Sequence, residues 1–305
     1  MSKNEKEEHL AIGVDLGGTN IRVALMNKMG QILQEGSRLT EAYKSRDYII
    51  QNMIKMINTV KGDYQIKGIG VGSPGPINQA EGRILDPPNL KSLHQCPIVE
   101  MLQSEFRDIP IYLENDANVA ALAEARVGAG AGKKSVIYIT VSTGIGAGIV
   151  IDGKLFVGAQ GNAGEIGNMI ISEKGPQVAN LNTGALEALA SGTAIERVGR
   201  ERLGIDGGAK EVFALAMAGD SVALKIVEEV KTYLSIGIAN LMHLLNPSIF
   251  VIGGGVMQSG EWLLPQLREK TSHLLFPSMR SHLMIEPPML DHKVGVIGAG
   301  LLVFT

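Results

Sequence analysis

The sequence predicts an α/β protein built from two related halves, and three observations carry that reading. Short β-branched runs break at glycine turns and resume as strands. The same order of strand, turn, strand, turn, strand occurs twice, with Gly144 following Gly17 by 127 residues. Between and after these passages lie stretches with apolar residues at helical spacing, and strands alternating with helices define the α/β class.

Taken in order, the chain opens with "MSKNEKEEH", which is charged, lacks an apolar core and reads as a mobile tail rather than a signal peptide. "AIGV" and "IRVAL" read as strands around the turn Asp15-Leu16-Gly17-Gly18-Thr19-Asn20, and "QILQE" as a third strand after "NKMG". Ser45 to Val60 carries Ile49, Ile50, Met53, Ile54 and Ile57 on one helical face. "KGIGVGSPGPIN" is a glycine joint. The strand "IPIYLE" then hands over to the helix "ANVAALAEA" at Asn115-Asp116. An acid there is a helix cap or a working carboxylate, and the local sequence leaves both open. Val136 to Phe156 repeats the opening grammar around Ser142-Thr143-Gly144-Ile145-Gly146. Val222 to Leu245 is a long apolar-faced helix stopped by Asn246-Pro247. "IFVIGGGVM" runs a buried strand into Gly253, Gly254 and Gly255, and "VGVIGAGLLV" reads as a last glycine joint.

Composition narrows the function classes. A net charge of −3 in 305 residues gives no reason to expect binding to nucleic acid or membrane. The longest greasy helical run, Leu234 to Leu245, is too short to span a bilayer. A single cysteine, Cys96, excludes an internal disulfide and a cysteine-rich metal cage, so a reducing cytoplasm is expected. The 38 glycines gather at the joints. Such turns are either tight bends or places where backbone N–H groups approach phosphate. Neither a Walker A pattern nor GxGxxG after the first strand is present. Asp15 precedes the first turn, and a carboxylate beside phosphates holds Mg²⁺ directly or through water. Thr19 and Thr143 offer hydroxyls to phosphate oxygens.

"DLGGTN", "ENDAN", "STGIGAG", "AGEIG" and "LEALASGTAI", in that order, resemble the ROK family of sugar kinases, and within it the bacterial glucokinases. The resemblance runs from about Ile12 to Val303. It implies the actin/hexokinase-like (ribonuclease H-like) duplicated two-domain fold with a cleft between domains. The expected smaller domain is 1–117 plus 292–305 and the larger is 118–291. It implies ATP-dependent phosphorylation of a hexose, with Asp116 as the base that accepts the hydroxyl proton. Gly17, Gly18, Thr19 and Asn20, then Thr143 and Gly144, match the phosphate loops, and Gly253, Gly254 and Gly255 match the turn beside the nucleotide. Asn89, Asn115, Asp116, Glu165 and Glu187 match sugar ligands. ATP and Mg²⁺, with Asp15 as the Mg²⁺ residue, are the implied cofactors. A homodimer or larger assembly is the family habit. Regulators of the family carry a helix-turn-helix ahead of this core; with its first strand by about residue 11, none is expected here.

The chain departs from the family at its zinc site. "GEIG" is followed by Asn168 where the family has histidine, and Ala179, Leu181 and Ala185 stand at the usual cysteine positions. No zinc is expected. Asn168 is expected to take over the sugar contact. Ile170, Ile171, Val178 and Leu181 are expected to pack beneath the loop, and the Asn180 and Asn182 amides to bond its turns. Glucose leads the substrate expectation. The alternatives are mannose, N-acetylmannosamine or fructose, polyphosphate as donor, or an inactive sugar-binding regulator.

Overall fold

The computed structural model describes residues 9–260 and 262–305; the expected tail over residues 1–8 lies outside them. The elements, in chain order, are β1 (Leu10–Leu16), β2 (Asn20–Asn27), β3 (Ile32–Leu39), α1 (Arg46–Lys61), β4 (Ile69–Ser73), β5 (Ile77–Asn78), β6 (Arg83–Ile84), α2 (Ile98–Gln103), β7 (Ile111–Asn115) and α3 (Asp116–Val127). There follow β8 (Ser135–Val141), β9 (Ile145–Ile151), β10 (Lys154–Leu155), α4 (Leu186–Ala190), α5 (Gly192–Leu203), α6 (Gly208–Met217), α7 (Ser221–Leu245) and β11 (Ile249–Gly253). The chain closes with α8 (Gly255–Ser259), α9 (Leu263–Leu274), α10 (Pro277–Arg280), β12 (Ile285–Glu286) and α11 (Val294–Leu301).

Two compact units result. The first holds residues up to Ala131, Gly158–Gly161 and Leu290–Thr305; the second holds Gly132–Val157 and Asn162–Met289. Their sheets repeat one plan. The first has strand order β3-β2-β1-β4-β7 and the second β10-β9-β8-β11-β12. In each, the first two pairings are antiparallel and the last two parallel. The repeat read from the glycine turns is therefore a repeat of whole sheets, as in the actin/hexokinase-like duplicated fold.

Each sheet has its own core. β1 is buried almost throughout, as expected of a strand covered on both faces. α1 starts where Ser45 Oγ accepts the N–H of Tyr48 at 3.3 Å, and it buries Ile49, Ile50, Met53, Ile54, Ile57 and Val60. Each such aliphatic side chain, fully buried, stabilises by ~1.5–3 kcal/mol. α7 starts where Asp220 accepts the N–H groups of Val222 and Ala223, and it stops at Asn246, whose φ of 43° is left-handed.

One expectation needs correction. "VGVIGAGLLV" is not a glycine joint between strands but the helix α11. Its glycines and those facing it let backbones touch. A Cβ on Gly13 would collide with the Val296 carbonyl, one on Gly70 with the Ala299 carbonyl, and one on Gly298 with the Val119 carbonyl. Gly298→Ala alone would overpack this seam at a cost of about 1–3 kcal/mol. α3 packs on α11, and the first unit continues to Ala131.

The chain first leaves the first unit after Ala131 and last re-enters it at Leu290. These two crossings lie beside one residue. Glu124, near the end of α3 and fully buried, accepts the N–H of Ala129 at 2.7 Å and that of Leu290 at 3.0 Å.

Candidate active site

In the first unit, β1, β4 and β7 run parallel, so their C-terminal ends share one edge of the sheet. The register places Asp15 beside Gly72, Gly72 beside Glu114, and Ser73 beside Asn115. Parallel sheets bind ligands at such ends. Asp15 lies 3.2 Å from the Arg22 guanidinium, its cross-strand partner. Burial pushes its carboxyl above the ordinary carboxylate range, and Arg22 opposes that rise without cancelling it. A cation held with phosphates would favour the ionised form, so this half-buried carboxylate fits Mg²⁺, which usually takes one or two carboxylates and completes its shell with phosphate and water.

The turn that follows is closed by its own chain. Gly17 N donates to the Asn20 carbonyl at 2.9 Å, Thr40 Oγ1 donates to the Gly17 carbonyl at 2.6 Å, and Thr40 N donates to the Thr19 carbonyl at 2.8 Å. Thr19 is exposed, and Gly18 faces Asn89, whose Cβ lies 3.1 Å from where a Cβ on Gly18 would sit. The structure thus brings Asn89 to the turn between β1 and β2.

At the strand-to-helix joint, two side chains reach the same helix-end N–H. The N-cap of α3 is Asn115, with φ −67° and ψ 147°, and its Oδ1 accepts the N–H of Ala117 at 2.9 Å. Asp116 is the first residue of the helix and is exposed; its Oδ1 takes the same N–H at 2.8 Å. A carboxylate in the first turn meets the positive end of the helix dipole, which favours its ionised form.

In the second unit, the turn between β8 and β9 carries Thr143 and Gly144. Gly192 N donates to the Ser142 carbonyl at 2.7 Å, and Thr193 Oγ1 donates to the Thr143 carbonyl at 2.8 Å. Glu187, in the first turn of α4, accepts the N–H of Ile145 with Oε2 at 2.7 Å. A Cβ on Gly144 would stand 2.5 Å from that same oxygen. Glu187 therefore touches the turn between β8 and β9, and its second oxygen is spare. Glu165 is exposed; partial desolvation and then the like charge of Glu187 push its carboxyl up. Gly253 ends β11, and Gly254 takes a φ of 99°, where any Cβ would strike the backbone of Val141. Gly255 opens α8, 3.8 Å from Ser142 Oγ at its Cβ position, so the third glycine turn lies beside the second.

The loop without cysteines is held by amides. Asn168 Oδ1 accepts the N–H of Asn182 at 2.7 Å, and Asn182 Nδ2 donates back to the Asn168 carbonyl at 3.4 Å. Gln177 donates to the Leu181 carbonyl and accepts from Thr183, both at 3.0 Å. Ile171 packs against the core, but Ile170 does not pack beneath the loop as expected: it pairs with Ala185 in a bridge and is 60% exposed. Among the described residues, no three His, Cys, Asp or Glu side chains gather in a way that could hold a metal ion.

Sequence reasoning missed Glu114. It ends an apolar strand run and is only 3% exposed. The one available signal was an acid at the inward end of "IYLE", which also reads as an ordinary strand boundary.

Comparison with known proteins identifies the family. Residues 11–305 match the ROK family. The glucokinase of Thermotoga maritima is 34% identical, with 96% of each chain covered. The crystal structure of a ROK hexokinase from Thermus thermophilus superposes with a TM-score of 0.89 at 32% identity, covering 97% of this chain and 98% of that one. A ROK family glucokinase from Streptomyces griseus, solved with glucose and AMPPNP, gives 0.78 at 30% identity, covering 96% and 98%. With matching motifs, a matching duplicated fold and a match over nearly its whole length, this chain belongs to the ROK family.

Proposed function

We propose that the protein transfers the γ-phosphoryl group of ATP to the primary hydroxyl of a hexose, with glucose as the first substrate and glucose 6-phosphate as product. The observation that carries this reading is Asp116: an exposed carboxylate at the start of α3, on the same sheet edge as Asp15. The glucokinase relatives and the glucose- and AMPPNP-bound structure support the choice of sugar and donor.

In this reading Asp116 accepts the proton of the primary hydroxyl as its oxygen bonds to the γ-phosphorus, and the bond to ADP breaks. The candidates for phosphate contact are Gly17, Gly18, Thr19 and Asn20 in the first unit and Thr143 and Gly144 in the second, with Gly253 to Gly255 the candidates for the nucleotide. Asp15 would hold Mg²⁺ beside the phosphates, and the ion would supply charge neutralisation there. Asn89, Asn115, Glu165, Asn168 and Glu187 contact sugar hydroxyls. With Asn168 Oδ1 engaged by Asn182, the Asn168 amide nitrogen is the group left to donate to the sugar. A cytoplasmic homodimer or larger assembly completes the proposal; no helix among the described residues is long and apolar enough to cross a membrane.

A coupled ADP-release assay tests the reading over glucose, mannose, N-acetylmannosamine and fructose, with ATP and polyphosphate as donors. Glucose with ATP is expected to give the highest kcat/KM. Sugar binding with no turnover on any pair would replace the kinase with a sugar-binding regulator, and sedimentation velocity decides the assembly.

A further inference from the structure

Glu114 is a buried acid with no part in the chemistry described so far. Its carboxylate receives three N–H donors from three elements. Oε1 accepts the main-chain N–H of Asn115 and the Nδ2 of Asn118, both at 2.9 Å; Oε2 accepts the Nε2 of Gln79 at 3.0 Å. These donors belong to the end of β7, the first turn of α3, and the turn between β5 and β6. Taking a carboxylate out of water is costly unless it is fully bonded. Desolvation pushes this one up, and all three donors oppose the rise. Asn118 Oδ1 is left buried without a partner, so the Asn118 amide is turned to satisfy Glu114 rather than itself.

We propose that Glu114 is a positioning residue for the phosphoryl transfer: it clamps the joint between β7 and α3 and so fixes where Asn115 and Asp116 point. This rests on the kinase reading for its consequence, though not for its geometry. Asn115 leaves the clamp through its N–H and caps α3 with its side chain, and its amide nitrogen occupies space that a Cβ on Gly75 would fill. Asp116 is the next residue. A base displaced by a fraction of an ångström loses much of its rate advantage.

Geometry rather than charge is the proposed role, and the two separate cleanly. In Glu114→Gln, the amide oxygen still accepts from Asn115 and Asn118, and Gln79 turns its own amide to receive the new N–H. Glu114→Gln is expected to keep kcat within about threefold of wild type. Glu114→Ala strands three donors and is expected to lose about tenfold or more in kcat, with glucose KM raised and ATP KM within about twofold. Hydrogen exchange over residues 111–120 reads the clamp without any activity, and it is expected to quicken in Glu114→Ala alone. A wild type that turns over no sugar ends the kinase reading, while exchange still decides the clamp. If Glu114→Ala does not fold, Gln79→Leu at the exposed end of the network serves instead, with faster exchange and kcat down about two- to threefold expected. The proposal is overturned if Glu114→Gln is as impaired as Glu114→Ala, or if the variant tested folds with wild-type exchange.

Discussion

The two duplicated turns share a backbone plan and differ in where their charge comes from. The turn after β1 carries its acid on its own strand, Asp15, with Arg22 as cross-strand partner. Two residues before the matching glycine, the turn after β8 has Ser142, and five residues after it stands Ile149. Its carboxylate arrives instead from α4, where Glu187 bonds Ile145 N across 42 residues of sequence. Duplication has preserved the hairpin and moved the chemistry. The first turn is closed by its own main chain and Thr40; the second is tied to a side chain that also belongs to the proposed sugar site.

The largest break in that division is expected at Asp116, in the unit whose acids lie on the sheet edge. Asp116→Asn retains a side chain able to accept the Ala117 N–H but removes the base. Turnover should fall at least ~10²-fold with melting temperature and glucose affinity near wild type. More than a third of wild-type kcat would make Asp116 a capping residue only.

A sharper test opposes the two turns directly. Gly144→Ala places a methyl against the Glu187 carboxylate, whereas Gly18→Ala meets Asn89, at its Cβ and its carbonyl oxygen. Gly144→Ala is expected to weaken nucleotide and glucose together, each by about tenfold, as overpacking of ~1–3 kcal/mol implies. Gly18→Ala should weaken the nucleotide more than the sugar. Calorimetric titration of both ligands checks this, and loss of nucleotide affinity alone in Gly144→Ala would break the link through Glu187.

A smaller effect follows from Glu165. Its folded-state pKa is raised, by desolvation first and Glu187 second. The folded state therefore holds that proton more tightly, so the group's contribution to stability is present at low pH and is lost as pH rises through the raised value. Sugar binding runs the other way, because only the ionised form accepts two hydroxyls. Glucose affinity should fall as pH drops toward the carboxylate range of about 4 to 5, and Glu165→Gln should flatten that slope. An unchanged slope in Glu165→Gln removes the group from the sugar site.

The smallest expected effect is none at all. Because amides hold the 168–185 loop, EDTA followed by Mg²⁺ should restore full activity, and elemental analysis should find no stoichiometric zinc. One zinc per chain, lost together with activity, would sink this.

The strands flanking both glycine turns were legible because β-branched runs between glycines have one comfortable conformation, and α1 and α7 because their apolar residues keep helical period. "VGVIGAGLLV" was not, since a short run of small and apolar residues fits a buried strand or helix equally. Its contacts with Gly13, Gly70 and Val119 decide the matter, and these lie far off in sequence. Asp116 was legible as a carboxylate at a joint, but the identity of the cap was not: Asn115 and Asp116 both suit it, and backbone dihedrals choose between them. Glu114 stayed hidden because one of its three donors, Gln79, is 35 residues upstream. Ile170 was misplaced because apolar character does not say which way a loop residue faces.

The seam between α11 and the first sheet also sets an order of assembly during synthesis. β1 and β4 pack against the last helix of the chain, and α3 packs on the same helix. The second unit holds no residue beyond Met289. On the ribosome, domains tend to fold as units in the order they emerge, yet here the earliest-made sheet waits with one face uncovered until residues 294–301 leave the exit tunnel. A nascent chain stalled before Leu290 should therefore resist protease across the second unit while remaining open to cleavage in the first. The half translated first is the half completed last, and during that interval it is the natural client for a chaperone.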